Sequence, residues 1–256
     1  PLHNTGTVNV SGEDGATIAA SVSNHGGFNG VHAHLVFQQP FVNAGAYISD
    51  PSTNTFTDLT VHPAGYLQGG VGDVFEITGD LNNFSEQSGD WRTTDATLRF
   101  NSAAHAWIVA ADDLGPTPLG YVDNFAWGAL HLTSGAHVDL ADAAGGDSGA
   151  VYVGVLMMED GLSQLARIDT GMTIYYDPTQ LDNAYLQGLT WPVTGGGVVR
   201  PIPEPASMML VSVGLLFIAG RRRFPGHGTG ARSPRARRGP ENPQKPTKID
   251  VMADEH

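Results

Sequence analysis

The chain of 256 residues has 33 glycines, 16 prolines, no cysteine and a formal net charge of −13, so neither a disulfide framework nor a thiolate metal site is available. The charge is divided: residues 1–200 carry 21 acidic and four basic side chains, and residues 201–256 carry five acidic and nine basic ones. A lysine-free body with that acidic excess repels nucleic acid and anionic lipid, which removes nucleic acid as a partner.

About 200 residues are enough for one domain with a sizeable core. The chain starts at Pro1 with neither an initiator methionine nor an apolar export segment, and the expectation is a mature or shortened form. Short β-branched or aromatic runs, punctuated by Gly, Asn, Asp or Ser, predict strands over Thr7–Val10, Ala33–Phe37, Val74–Thr78, Ala96–Phe100, Ala106–Ala110, Ala129–Leu132, His137–Leu140, Val151–Leu156 and Met172–Tyr176. Helical period is almost absent, with a turn or two over Gln180–Leu189. Residues 1–70 resemble no named family.

In chain order, the first residues with chemical capacity are His32 and His34, with His25 upstream. Alternation along a strand would aim His32 and His34 from one face, a pair able to hold zinc. No Glu or third His follows at a ligand offset, and His62, His105, His131 and His137 are scattered, so no metal site is expected. Trp91, Trp107, Tyr121 and Trp127 are the aromatics that would stack on sugar rings, although in a β core such residues more often pack.

Ser102-Ala103-Ala104-His105 and Gly146-Asp147-Ser148-Gly149 look like the histidine and serine motifs of chymotrypsin-like proteases. In that family a whole barrel is built largely between them, and 43 residues are too few. Gly-Asp-Ser-Gly is equally a turn sequence. Asp112, Asp113, Asp139, Asp142 and Asp147 could offer oxygens to calcium, but they form neither an EF-hand loop nor a nonapeptide calcium repeat. No catalytic residue and no cofactor is expected.

A repeat runs through the second half. Gly128-Ala129-Leu130, Leu132 and Gly135 recur as Gly154-Val155-Leu156, Met158 and Gly161, displaced by 26 residues at every position. A strand-and-glycine unit of that size is one coil of a β-solenoid, whose inward apolar residues are buried only when the next coil stacks on them. The expected fold class is therefore all-β, a right-handed β-solenoid over residues 1–200, with a β-sandwich as the alternative. Tyr121 to Gly128, Gly149 to Val153, and Ile174 to Tyr176 before Asp177-Pro178 carry a resemblance to autotransporter-like, repeat-bearing surface proteins. It spans about residues 70–205 and implies an all-β body without assigned enzymatic activity.

The most informative segment is 201–223. Pro201, Pro203 and Pro205 forbid helix and hold Glu204 on an extended backbone. From Ala206 to Gly220 fifteen residues carry no charge, which predicts one short apolar helix, marginal as a membrane span. Arg221, Arg222 and Arg223 then supply a basic stop that favours a cytoplasmic end. The motif, the run and the basic stop, in that order, resemble the PEP-CTERM sorting signal. The resemblance implies that an exosortase recognises Pro203, Glu204 and Pro205 and cuts the chain at the inner membrane. Residues 224–256 add 33 further residues, poor in apolar side chains and expected to be disordered, where the family usually stops soon after its basic cluster.

Together these readings describe an exported protein, briefly held in the membrane and then placed on the cell surface or in the extracellular matrix. The expected role is structural or adhesive, not enzymatic, in an exopolysaccharide layer. A glycan-binding module is the alternative, and a polysaccharide hydrolase using a carboxylate pair is a less favoured one.

Overall fold

The structure is a computed structural model that describes residues 1–101, 103–146 and 148–203. The apolar run, Arg221 to Arg223 and the tail 224–256 lie outside the described residues, as do Glu204 and Pro205. No helix among the described residues is long and apolar enough to cross a membrane.

The body is a β-solenoid of about nine turns. Each of the first four turns contributes one strand to each of three faces, with short bends between runs of three to five residues, most of them holding Gly, Asp or Pro. The first face stacks Leu2–Asn4, Val22–Asn24, Phe41–Asn43, Leu59–Val61, Leu81–Asn83, Ala104–Val109, His137–Asp142 and Ile168–Asp169. The second stacks Thr7–Ser11, Gly27–Val31, Ala46–Asp50 and Tyr66–Gln68 and ends there. The third runs the length of the body, through Ala16–Ile18, His34–Phe37, Thr53–Phe56, Val74–Ile77, Thr93–Phe100, Trp127–Leu132, Ala150–Met158, Thr173–Tyr176 and Val198–Pro201. These strands pair in parallel; Trp191–Pro192, laid antiparallel on Val198–Val199, is the exception. Parallel stacking of consecutive coils sets the sandwich aside.

The 26-residue repeat is a real coil step. Leu130 lies beside Leu156 in neighbouring parallel strands, with Leu132 beside Met158. Gly154 sits over Gly128 so closely that an added Cβ would stand 2.7 Å from the Gly128 carbonyl oxygen. The step is not constant. Phe41 lies beside Leu59, 18 residues on, while Leu98 lies beside Leu130, 32 residues on. The short coils are in the first 83 residues, outside the 26-residue repeat.

Two kinds of ladder hold those short coils. One is aromatic: Phe28 stacks on Tyr47 at 5.4 Å and 4°, and Phe37 on Phe56 at 4.8 Å and 5°, each pair occupying the same position of successive coils. A fully buried side chain of this size contributes about 1.5–3 kcal/mol. The other is polar. Asn4 donates to Asn24 Oδ1 at 2.7 Å, Asn24 to Asn43 Oδ1 at 2.8 Å, and Asn43 to the Tyr66 carbonyl at 2.9 Å, all at the corner between the first two faces. Each of these Asn residues is followed two positions later by Gly6, Gly26 or Gly45; a Cβ on Gly26 or Gly45 would fall 2.0 or 2.2 Å from the carbonyl oxygen of the preceding glycine.

A buried acid closes the corner of the third and fourth coils. Asp73 accepts from the Ser49 hydroxyl, from the Ser52 amide at 2.7 Å and from the Gly70 amide at 2.7 Å. Burial and then the Asp73 charge push the Tyr47 phenol up, so Tyr47 remains a neutral donor to Asn54 at 2.8 Å.

Candidate functional site

Histidine pairing fails on geometry. The strand begins at His34, and His32 occupies the preceding turn with φ of 48°, so the two residues do not alternate on one strand. Both are exposed, and His25 is engaged with the Ser23 hydroxyl at 3.1 Å. Among the described residues no group of three or more His, Asp or Glu is arranged to hold a metal ion.

The protease-like motifs do not form a nucleophile and base. His105 is buried, with Nδ1 2.5 Å from the Gly79 carbonyl oxygen and Nε2 3.0 Å from that of Asn101. Ser148 gives its hydroxyl to Asp142 at 2.6 Å. Burial raises the Asp142 carboxyl, but Ser148 and the backbone amides of the turn outweigh it and hold the group below its ordinary range. Asp147 and Ser102 lie outside the described residues.

Asp112 and Asp142, considered above for calcium, line one cleft of about 390 Å³ with Pro63, Phe84, Glu86 and Ala110. Phe84 is 39 % exposed there. The aromatics picked out for sugar stacking are elsewhere. Trp91, Trp107 and Trp127 are 5 %, 3 % and 3 % exposed; they pack in the core, and Trp91 also donates to Thr93 at 2.7 Å. Phe84 is not legible as a site residue in the sequence, because a lone phenylalanine after Asn82-Asn83 carries no periodic signal.

The end of the body is where the sorting segment begins. Val198–Pro201 pairs in parallel with Thr173–Tyr176, setting Tyr175 beside Arg200 and Tyr176 beside Pro201. The Ile202 amide donates to the Tyr176 carbonyl at 2.9 Å, and its side chain is 6 % exposed. Ile202 packs with Ala126, Ala150, Tyr152 and Tyr175 in a cluster separate from the main core, with Tyr121 against it. A strap over residues 110–126 completes that cluster. Tyr121 donates to the Val153 carbonyl at 2.7 Å, Tyr152 to that of Gly115 at 2.9 Å, and Tyr175 to Asp113 at 3.1 Å. Burial pushes all three phenols up, and Asp113 adds to the effect on Tyr152 and Tyr175, so they remain neutral donors. Pro203 is half-buried directly after Ile202. Of the sorting residues Pro203, Glu204 and Pro205, only Pro203 lies among the described residues.

Residues 201–223 match the family model of the PEP-CTERM protein-sorting motif. No curated protein and no solved structure matches the chain. The motif implies export, sorting by an exosortase at the membrane and delivery to the surface.

Proposed function

We propose that this chain is a structural or adhesive protein of the cell surface or extracellular matrix, set in an exopolysaccharide layer, and that it is not an enzyme. The sorting match at 201–223 carries the reading. The body is consistent with it: a solenoid repeats similar ladders along its flank and presents an extended surface. The engagement of His105 by carbonyls and of Ser148 by Asp142 supports the non-enzymatic half.

The experiment follows the chain through the membrane. Glu204→Ala should leave a membrane-bound precursor, because the apolar run persists while the carboxylate of the motif is gone. Deleting residues 208–223 should give soluble, unsorted protein. The intact mass of surface-extracted native protein decides: a product still containing Arg221 to His256 means an ordinary anchor, and the sorting reading fails.

A second reading, glycan binding, now rests on the cleft at Phe84 and not on the tryptophans. An exposed ring beside the carboxylates of Glu86 and Asp112 offers a stacking face and hydroxyl acceptors. Retention on a polysaccharide column, lost in Phe84→Ala with the fold intact, would support it. Release of sugar from the column would overturn the non-enzymatic assignment.

A further inference from the structure

We infer that Ile202 is a positioning residue for processing at the sorting motif: seated among Ala126, Ala150, Tyr152 and Tyr175, it fixes the point from which the chain leaves the body into Glu204. The inference rests on the sorting reading and adds to it a role for the folded body. The sorting match starts at Pro201, yet Pro201 is still in the last parallel strand and Ile202 is still buried and hydrogen-bonded to Tyr176. No free linker separates the last coil from Pro203.

Three constraints act at this point. Val198–Pro201 is held in extended form along one side by Thr173–Tyr176, and its first two residues, Val198 and Val199, are held on the other side by Trp191–Pro192. Ile202 is gripped by its amide and by its side chain. Pro203 has a locked φ and biases Ile202 towards extended backbone. An enzyme that reads an extended Pro-Glu-Pro therefore meets a segment whose first residues are already ordered, and ordering entropy that a flexible peptide would lose on binding has been lost in folding.

The strap has a part in this. Gly120 lies against Tyr152, where a Cβ would overlap the ring, and Tyr121 packs on the Ile202 cluster. Residues 110–126 thus form one wall of the seat, far from the motif in sequence.

The test uses the full chain in cells, reading the rate at which precursor becomes mature protein by pulse-chase, with the melting temperature of the body as control. A six-residue Gly-Ser spacer between Ile202 and Pro203 leaves Ile202 seated and frees only the motif. It should slow maturation by about 5- to 30-fold, the weight of ordering one backbone residue. Ile202→Ser should slow it similarly, and Ile202→Val should restore it. A spacer variant that matures at the original rate or faster overturns the inference. The two readings separate cleanly: if Glu204→Ala matures normally the sorting reading itself fails, whereas a block in Glu204→Ala with normal maturation of the spacer variant removes only the role of Ile202.

Discussion

Asn24 has no exposed surface, and its carboxamide is engaged on every side: it accepts from Asn4 and donates to Asn43 and to the Ala46 carbonyl. Replacing it with alanine strands the Asn4 donor and the Ala46 carbonyl inside the stack, and Asn24→Ala should cost about 2–4 kcal/mol in denaturant unfolding. Asn29 is the control. It donates to Asn9 at 2.7 Å in an exposed ladder on the second face, so Asn29→Ala should stay within about 0.5 kcal/mol. Equal losses at the two positions would show that the buried ladder has no special weight. The ladder was readable in principle, since Asn-x-Gly occurs at 4–6, 24–26 and 43–45. β-Propensity does not reveal it, because asparagine is depleted in ordinary strands. In a solenoid corner the same residue is favoured, because a carboxamide can donate to the coil on one side and accept from the coil on the other.

The turn Thr133 to Gly135 shows how one coil caps its neighbour. Glu159 accepts from the Ser134 amide at 2.8 Å and meets His131 at 3.0 Å; Asp160 accepts from the Ser134 hydroxyl at 2.7 Å, the Gly135 amide at 2.9 Å and Arg167 at 2.7 Å. Hydrogen bonding from Ser134 is the main cause that holds both carboxyls below their ordinary range, with His131 helping Glu159, and Gly135 and Arg167 helping Asp160. The sign follows from linkage. A carboxyl depressed in the folded state stabilises above its unfolded pKa of about 4, and that contribution is lost as pH falls through the folded value. Thermal melts should therefore fall on acidification below about pH 4.5, and the Glu159→Gln/Asp160→Asn double variant should fall less over the same range. Parallel curves for the two proteins would remove this turn as a source of acid sensitivity. The elements themselves were partly legible. Strands that present long β-branched runs, such as Val151 to Leu156, stood out, whereas three-residue strands such as Val22–Asn24 and Leu81–Asn83 are too short for period 2 to rise above composition.

At the scale of the molecule, the repeat of Gly128 to Gly135 at Gly154 to Gly161 was enough to give the solenoid, because backbone stacked on backbone tolerates no side chain at Gly128 and Gly154. The coil count was not legible, since the 110–126 strap lengthens one step to 32 residues and hides the register of Leu98 on Leu130. The sorting motif was legible as a sequence, yet its seat at Ile202 was not: Tyr152, Tyr175 and Ala126 meet only once the coils stack. Stacking also sets how damage spreads. Leu98 is fully buried, with Phe75 beside it in one neighbouring coil and Leu130 in the other. Leu98→Ala leaves a cavity costing about 2–5 kcal/mol, shared between those two interfaces. In a quasi-one-dimensional array the loss is felt by neighbours first. Hydrogen exchange should quicken in Val74–Ile77, Thr93–Phe100 and Trp127–Leu132, while Val22–Asn24 and Thr173–Tyr176 keep their protection. Uniform acceleration along the chain would mean that the nine turns unfold as one cooperative unit, and the nearest-neighbour account of this body would have to be abandoned.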